Sequence, residues 1–174
     1  TIDEIAYEKC SHLLNGSKII VSEQKESILK NIKKNISKNS SSKFIFGKDY
    51  KYTLVNNGFI YKDKKGEINL PYPNLLGDFQ ISNVSTAIVT IRNLEQFKVK
   101  ESHIRDAITK IRSEGRLQFI KEGKLKKYVS NNNEILIDGA HNPLAAKAIE
   151  KYLGSLNSER KIIMLLGMMA NKEH

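Results

Sequence analysis

The residues best placed to do chemistry are Asp138-Gly139-Ala140-His141-Asn142-Pro143, which follow the apolar run Ile135-Leu136-Ile137 and open a helical pattern. Open α/β sheets bind ligands outside the carboxyl ends of their strands, and this loop occupies such an end. Asp138 could accept hydrogen bonds from a ribose or hold a metal-bound water, and His141 could bind a carboxylate or phosphate. Gly139 permits close backbone approach. The plainer reading is that Asp138 and Asn142 cap the helix and His141 is an ordinary loop residue. A second apolar run, Lys161 to Leu166, ends in Gly167-Met168-Met169-Ala170-Asn171-Lys172. Read as a parallel strand, it would open its loop on the same edge, with Lys172 facing an anion or simply solvent. No Gly-x-Ser-x-Gly elbow is present, and the loop offers no hydrolase triad.

Several elements must position these loops. Thr1 to Leu14 reads as a helix, with Asp3 and Glu4 where carboxylates favour the helix dipole. Lys18 to Val21 is a short strand, and Glu23 to Lys38 carries Ile28, Leu29, Ile32 and Ile36 at helical spacing. From Lys43 to Leu70 the pattern turns to strands: Phe44–Phe46, Tyr50–Val55, Phe59–Tyr61 and Ile68–Leu70. Turn signals at Asn56-Asn57-Gly58 and Asp63-Lys64-Lys65-Gly66 predict one antiparallel meander. Gly77 to Asn93 reads as a loop entering a helix, and Glu101 to Arg112 as a further helix. Beyond a boundary near Ser113–Arg116, strands are expected at Leu117–Ile120, Lys126–Val129 and Ile135–Ile137. Pro143 opens a helix, as Pro prefers the first helical turn. With the run at 161–166 this predicts a βαβ unit.

Composition bounds the class. The chain has 174 residues, a net charge of +10 from 29 Lys+Arg against 19 Asp+Glu, and one cysteine, Cys10. A hydrophobic fraction of 40% supports a packed core. One cysteine excludes an internal disulfide framework and fits a reducing, cytoplasmic setting. No apolar run approaches the roughly 18 residues that span a bilayer, so no membrane partner is expected. The lysines are dispersed rather than drawn into one stripe, so nucleic acid is not the expected partner and anionic small ligands are. The chain begins at Thr1 rather than Met and stops soon after one βαβ pattern, which reads as a fragment of a longer protein.

Five ordered stretches resemble dihydrofolate synthase/folylpolyglutamate synthase, the folate branch of the Mur ligase superfamily. They are Thr1–Lys9, Leu76-Gly77-Asp78-Phe79-Gln80-Ile81-Ser82-Asn83 through Ala87, Gly115-Arg116-Leu117-Gln118, Ile137–Pro143 and Leu165–Lys172. The resemblance implies an α/β fold: the end of a central ATPase domain with a small antiparallel sheet over 1–113, then the first part of a Rossmann-like carboxy-terminal domain over 114–174. It implies ATP with Mg2+ as cofactors. L-glutamate joined to dihydropteroate or to a folate γ-carboxyl through an acyl phosphate is the implied reaction, carried out by a monomer. By position, Asn83, Arg116 and Asp138 match residues that contact ATP. His141 lies where the incoming glutamate is handled, and Lys9 matches a lysine that is carbamylated, turning a cation into an anion near magnesium. Closure about the Arg116 linker would bring Asp138 and His141 to the nucleotide. No metal ligand is assigned within the chain.

There are departures. After Lys9 the family's Ala-Gly-Ile-Ile-Lys is replaced by Cys10-Ser11-His12-Leu13-Leu14-Asn15, and the His of its His-Gln pair is Phe79. The segment between Arg116 and Asp138 is long and lysine-rich at 121–127. The phosphate loop Gly-Thr-x-Gly-Lys-Gly-Ser, whose backbone amides and lysine cradle phosphates, does not occur in these residues. The chain alone is therefore expected to be inactive. Another Mur-type amino-acid ligase, and a non-catalytic basic module that binds nucleic acid, are the rival readings.

Overall fold

The structure, a computed structural model, describes residues 1–37, 42–156, 159 and 161–169. The chain divides into two compact units, residues 1–72 with 81–109, and residues 73–80 with 110–174.

The first unit begins with α1 (Ile2–Ser11), held at its start by a capping box: the Thr1 side chain accepts from Glu4 N while Glu4 reaches back to the N-cap backbone. β1 (Ile19–Val21), α2 (Glu26–Ile36) and β2 (Lys43–Ile45) follow. β1 and β2 pair in parallel, Ile19 with Lys43 and Val21 with Ile45. This corrects the expected meander. Local pattern alone places Phe44–Phe46 in the meander, but a parallel partner 24 residues upstream, reached through α2, is a tertiary choice that no hairpin signal encodes. Ile19, Val21, Ile36 and Ile45 bury together, with Cys10, Leu13, Leu29 and Ile32 packed against them.

The meander proper is β3 (Tyr50–Val55), β4 (Gly58–Asp63) and β5 (Gly66–Leu70), antiparallel in that order. Both of its turns span two residues, Asn56-Asn57 and Lys64-Lys65. Among the described residues Leu117 alone takes positive φ without being glycine, so neither turn is of the primed kind. The left-handed step falls instead on the closing Gly58 and Gly66, which only glycine takes without strain. Strand alternation sends Tyr50, Phe59, Tyr61, Ile68 and Leu70 to one face. They pack on Ile81, Val84, Ile88 and Val89 of α3 (Phe79–Arg92) and on Ile104 and Ile108 of α4 (Glu101–Lys110). Tyr61 Oη donates to Asp63 Oδ2 at 3.0 Å, and Arg92 pairs with the same carboxylate. Burial and the Asp63 charge push the Tyr61 phenol far up, and burial also raises Tyr50.

The second unit holds β6 (Gln118–Phe119), β7 (Leu136–Ile137) and α5 (Pro143–Gly154). β6 and β7 pair antiparallel, Gln118 with Ile137 and Phe119 with Leu136, and Ile120 N donates to Ile135 O at 2.9 Å. Two expectations are corrected here. Lys126–Val129 is not a strand: Leu125–Tyr128 forms one turn of 3-10 helix, because a run with three lysines in four residues, 124–127, has little apolar alternation to hold a ladder. Residues 161–169 form no strand, so no βαβ unit is seen in this unit among the described residues. Ile163 and Leu165 are 77% and 95% exposed; an apolar run becomes a strand only when a neighbour pairs its backbone. No helix among the described residues is long and apolar enough to cross a membrane.

Candidate functional site

The second unit brings two loops together. The turn Gly115-Arg116-Leu117-Gln118 lies against Asp138-Gly139, the segment at the carboxyl end of β7. Gly139 N donates to Gly115 O at 2.7 Å. Leu117 N donates to Asp138 Oδ2 at 2.8 Å, and Gly115 N donates to Gln118 Oε1 at 2.8 Å. The turn is unusual in its dihedrals: Gly115 has φ 65 and Leu117 φ 44. A β-carbon-bearing residue in that region is strained and persists only where its surroundings hold it. Here the Leu117 side chain is buried, at 2% exposure, while its amide is tied to a carboxylate.

Each expected residue has a definite place. Arg116 lies between the two tied amides, and its side chain is exposed. Asp138 is half-buried and spends one oxygen, Oδ2, on Leu117 N. It does not cap α5. Asn142 does, its Oδ1 accepting from Ala145 N at 2.9 Å, with Pro143 in the first helical position. His141 Nδ1 lies 2.9 Å from Gly139 O. A carbonyl oxygen only accepts, so Nδ1 carries the proton and, in the neutral ring, Nε2 presents its lone pair outward from an exposed side chain. Lys9, exposed in the last turn of α1, and Asn83, exposed on α3, belong to the other unit. Lys172 lies outside the described residues.

Two residues of the Gly115–Gln118 stretch have local roles that the sequence does not announce. Leu117 in the left-handed region and Gln118 as an acceptor for Gly115 N carry no conformational signal, because Leu is a poor left-handed residue and Gln accepts hydrogen bonds anywhere. At Gly139 a Cβ would sit 3.5 Å from Gly115 O, an ordinary contact. Among the described residues no group of three His, Cys, Asp or Glu could hold a metal ion. The loops offer one planar cation able to meet an anion, Arg116, beside a carboxylate oxygen and a ring nitrogen that accept hydrogen bonds.

Comparison with known proteins places similar sequences and folds beside this chain. Residues 115–174 match the family described as "Mur ligase, glutamate ligase domain". The chain is 26% identical over 128 residues to the dihydrofolate synthase/folylpolyglutamate synthase of Escherichia coli (strain K12), covering 73% of this chain and 27% of that protein. It superposes on E. coli FolC in complex with DHPP and ADP with a TM-score of 0.73 at 24% identity, covering 91% of this chain and 35% of that one. An FPGS–AMPPCP–folate complex gives a TM-score of 0.76 at 24% identity, covering 91% and 38%. The chain thus spans about a quarter of the length of the curated E. coli relative. It has the α/β fold found in part of these enzymes, it is similar to the dihydrofolate synthase/folylpolyglutamate synthases, and its residues 115–174 match the glutamate ligase domain of the Mur ligases.

Proposed function

We propose that this chain is part of a cytoplasmic, ATP-dependent ligase that joins L-glutamate to dihydropteroate, to the γ-carboxyl of folates, or to both. Residues 1–113 are assigned to the central ATP-binding domain and 114–174 to the carboxy-terminal domain. The observation that carries the reading is the tied loop pair, which holds Arg116, Asp138 and His141 together inside the segment matched to a glutamate ligase domain.

A carboxylate is a poor electrophile, so one of its oxygens must first attack the γ-phosphorus of ATP. ADP leaves, and the carbonyl carbon then carries phosphate as its leaving group. The neutral amine of glutamate attacks that carbon, the C–O bond to phosphate breaks, and amide, phosphate and a proton result. Arg116 suits the phosphoryl oxygens, because a guanidinium fork is charged throughout and matches two of them at once. The outward Nε2 of His141 suits either the ammonium proton of glutamate, as base, or its carboxylate when the ring is protonated. Asp138 and Asn83 are assigned to the nucleotide, and Lys9 to the carbamylated position. ATP comes with Mg2+, which would offset phosphate charge; among the described residues no group of three His, Cys, Asp or Glu makes a site for it.

The test is incorporation of labelled L-glutamate into dihydropteroate and into a folate monoglutamate by the ligase that carries this chain. ATP-dependent incorporation that drops at least about a hundredfold in Arg116→Ala is expected, the scale of losing one preorganised charge donor. Incorporation unaffected by that substitution would remove the assigned role. The isolated 174 residues, which contain no phosphate loop, are expected to ligate nothing; turnover by them would refute the division of labour.

A further inference from the structure

The backbone on both sides of Arg116 is held by side chains, and one of them has no assigned part in the reaction. Gly115 N is bound by the amide oxygen of Gln118 and Leu117 N by a carboxylate oxygen of Asp138, each at 2.8 Å. Gly139 N adds a third tie, to Gly115 O, at 2.7 Å. Between these fixed points Arg116 itself projects an exposed side chain. Left to itself the turn would relax, since Leu117 at φ 44 is in a region a branched apolar residue avoids. What keeps it there is the pair of side-chain acceptors together with burial of the Leu117 side chain.

We propose that Gln118 is a positioning residue for Arg116: through Gly115 N it fixes the near side of the turn, as Asp138 fixes the far side through Leu117 N, so that the guanidinium leaves the backbone in one preset direction. A long arginine side chain keeps its own rotamers, but a fixed Cα–Cβ vector removes the spread that backbone motion would add to where the charge arrives. Displacements of about 1 Å at a positioned group are enough to cost a reaction heavily. Asp138 then has two uses at once, one oxygen for the turn and one for a ligand. This explains why it is half-buried rather than exposed like Arg116 and His141. The inference rests on the ligase reading for what Arg116 contacts, but the tie itself does not.

Two measurements separate these layers. In the 174-residue chain, amide hydrogen exchange at Gly115 and Leu117 reads the ties directly. Gln118→Met keeps the length of the side chain and removes the oxygen; it is expected to speed exchange at Gly115 roughly tenfold, the scale of one lost hydrogen bond, without altering amides in α5. Asp138→Ala does the same at Leu117, while Asp138→Asn keeps an acceptor oxygen and protects that amide. In the ligase that carries the chain, Gln118→Met is expected to lower kcat about tenfold with the KM for glutamate unchanged, and Gln118→Glu, which restores an oxygen acceptor, to recover it. Unchanged exchange at Gly115 in Gln118→Met overturns the proposal. So does a kcat loss that Gln118→Glu fails to recover. If the unsubstituted ligase incorporates no glutamate, the proposed function fails, while the exchange arm still decides whether Gln118 holds the turn.

Discussion

Gly58 and Gly66 close equivalent turns of the β3–β4–β5 sheet, yet replacing each by alanine should have very different consequences. Both have positive φ, 154 and 114. An added Cβ at Gly66 meets nothing within 4 Å. At Gly58 it would lie 2.0 Å from the backbone oxygen of Leu70 and 2.9 Å from Pro71 Cα. Gly66→Ala therefore carries backbone strain alone, about 1–3 kcal/mol. Gly58→Ala adds a clash with main chain, which no rotamer change relieves. To reach the 3.0 Å limit, β5 must move off β4 by about 1 Å. That movement stretches the pairing of Phe59 with Leu70, two side chains at 0% and 1% exposure. Overpacking of this kind costs roughly 1–3 kcal/mol and a weakened ladder bond about 1 kcal/mol. The unfolded-state effect of Gly→Ala is common to both variants and cancels in the comparison. Urea unfolding followed by far-ultraviolet circular dichroism should show Gly58→Ala less stable than Gly66→Ala by about 2–4 kcal/mol. A difference below about 0.5 kcal/mol would mean that Gly58 is not sterically constrained by β5, and the argument would fail.

Three further outcomes are expected. Asn142→Ala removes the α5 cap and should cost about 1 kcal/mol in thermal or urea unfolding, whereas Asn142→Asp, which keeps an acceptor, should cost little. Gly139→Ala should leave the midpoint nearly unmoved, since its Cβ would make an ordinary 3.5 Å contact and no positive φ is required there; a loss comparable to Gly58→Ala would show a constraint the geometry lacks. Burial and the Asp63 carboxylate raise the Tyr61 phenol above its ordinary value. A raised pKa contributes stability that is whole below the unfolded value, about 10, and is lost as pH climbs past it. Melting temperatures should hold between pH 8 and 9 and decline above about 10, with the slope reduced in Tyr61→Phe; an unaltered slope in that variant would place the alkaline transition elsewhere.

Local signals predicted local structure well. The helix opening at Thr1 with acids in its first turn, the turn at Asn56-Asn57-Gly58 and the helix opened by Pro143 each lie within four residues of the signal that specifies them, and each forms as expected. Pairings set by distant residues were illegible. Phe44 chose Ile20 as its partner in a parallel ladder, although its spacing matched the following strands equally well. The apolar run at 161–166 has strand composition, but composition supplies no neighbour, and its side chains stand in solvent. The candidate site divides in the same way. Loop placement and resemblance point to Asp138, His141 and Arg116 as candidates; that Asp138 spends an oxygen on Leu117 N, and that Gln118 ties Gly115, depends on a contact across 21 residues and on one unusual φ.

The two sheets of the first unit also differ in how early they can form. β3, β4 and β5 are joined by two-residue turns, so each strand finds its partner by closing a very short loop, and hairpins zip in about 1–10 μs. β1 and β2 meet only after the chain between Val21 and Lys43 has folded back with α2 across it, which raises the entropy of closure and slows the search. Connectivity alone therefore favours a nearest-neighbour sheet as nucleus, with the parallel pair docking later. Tyr50, which sits in the first strand of the nucleus and donates to Val21 O of the late pair at 3.0 Å, is the latch that registers the second event on the first.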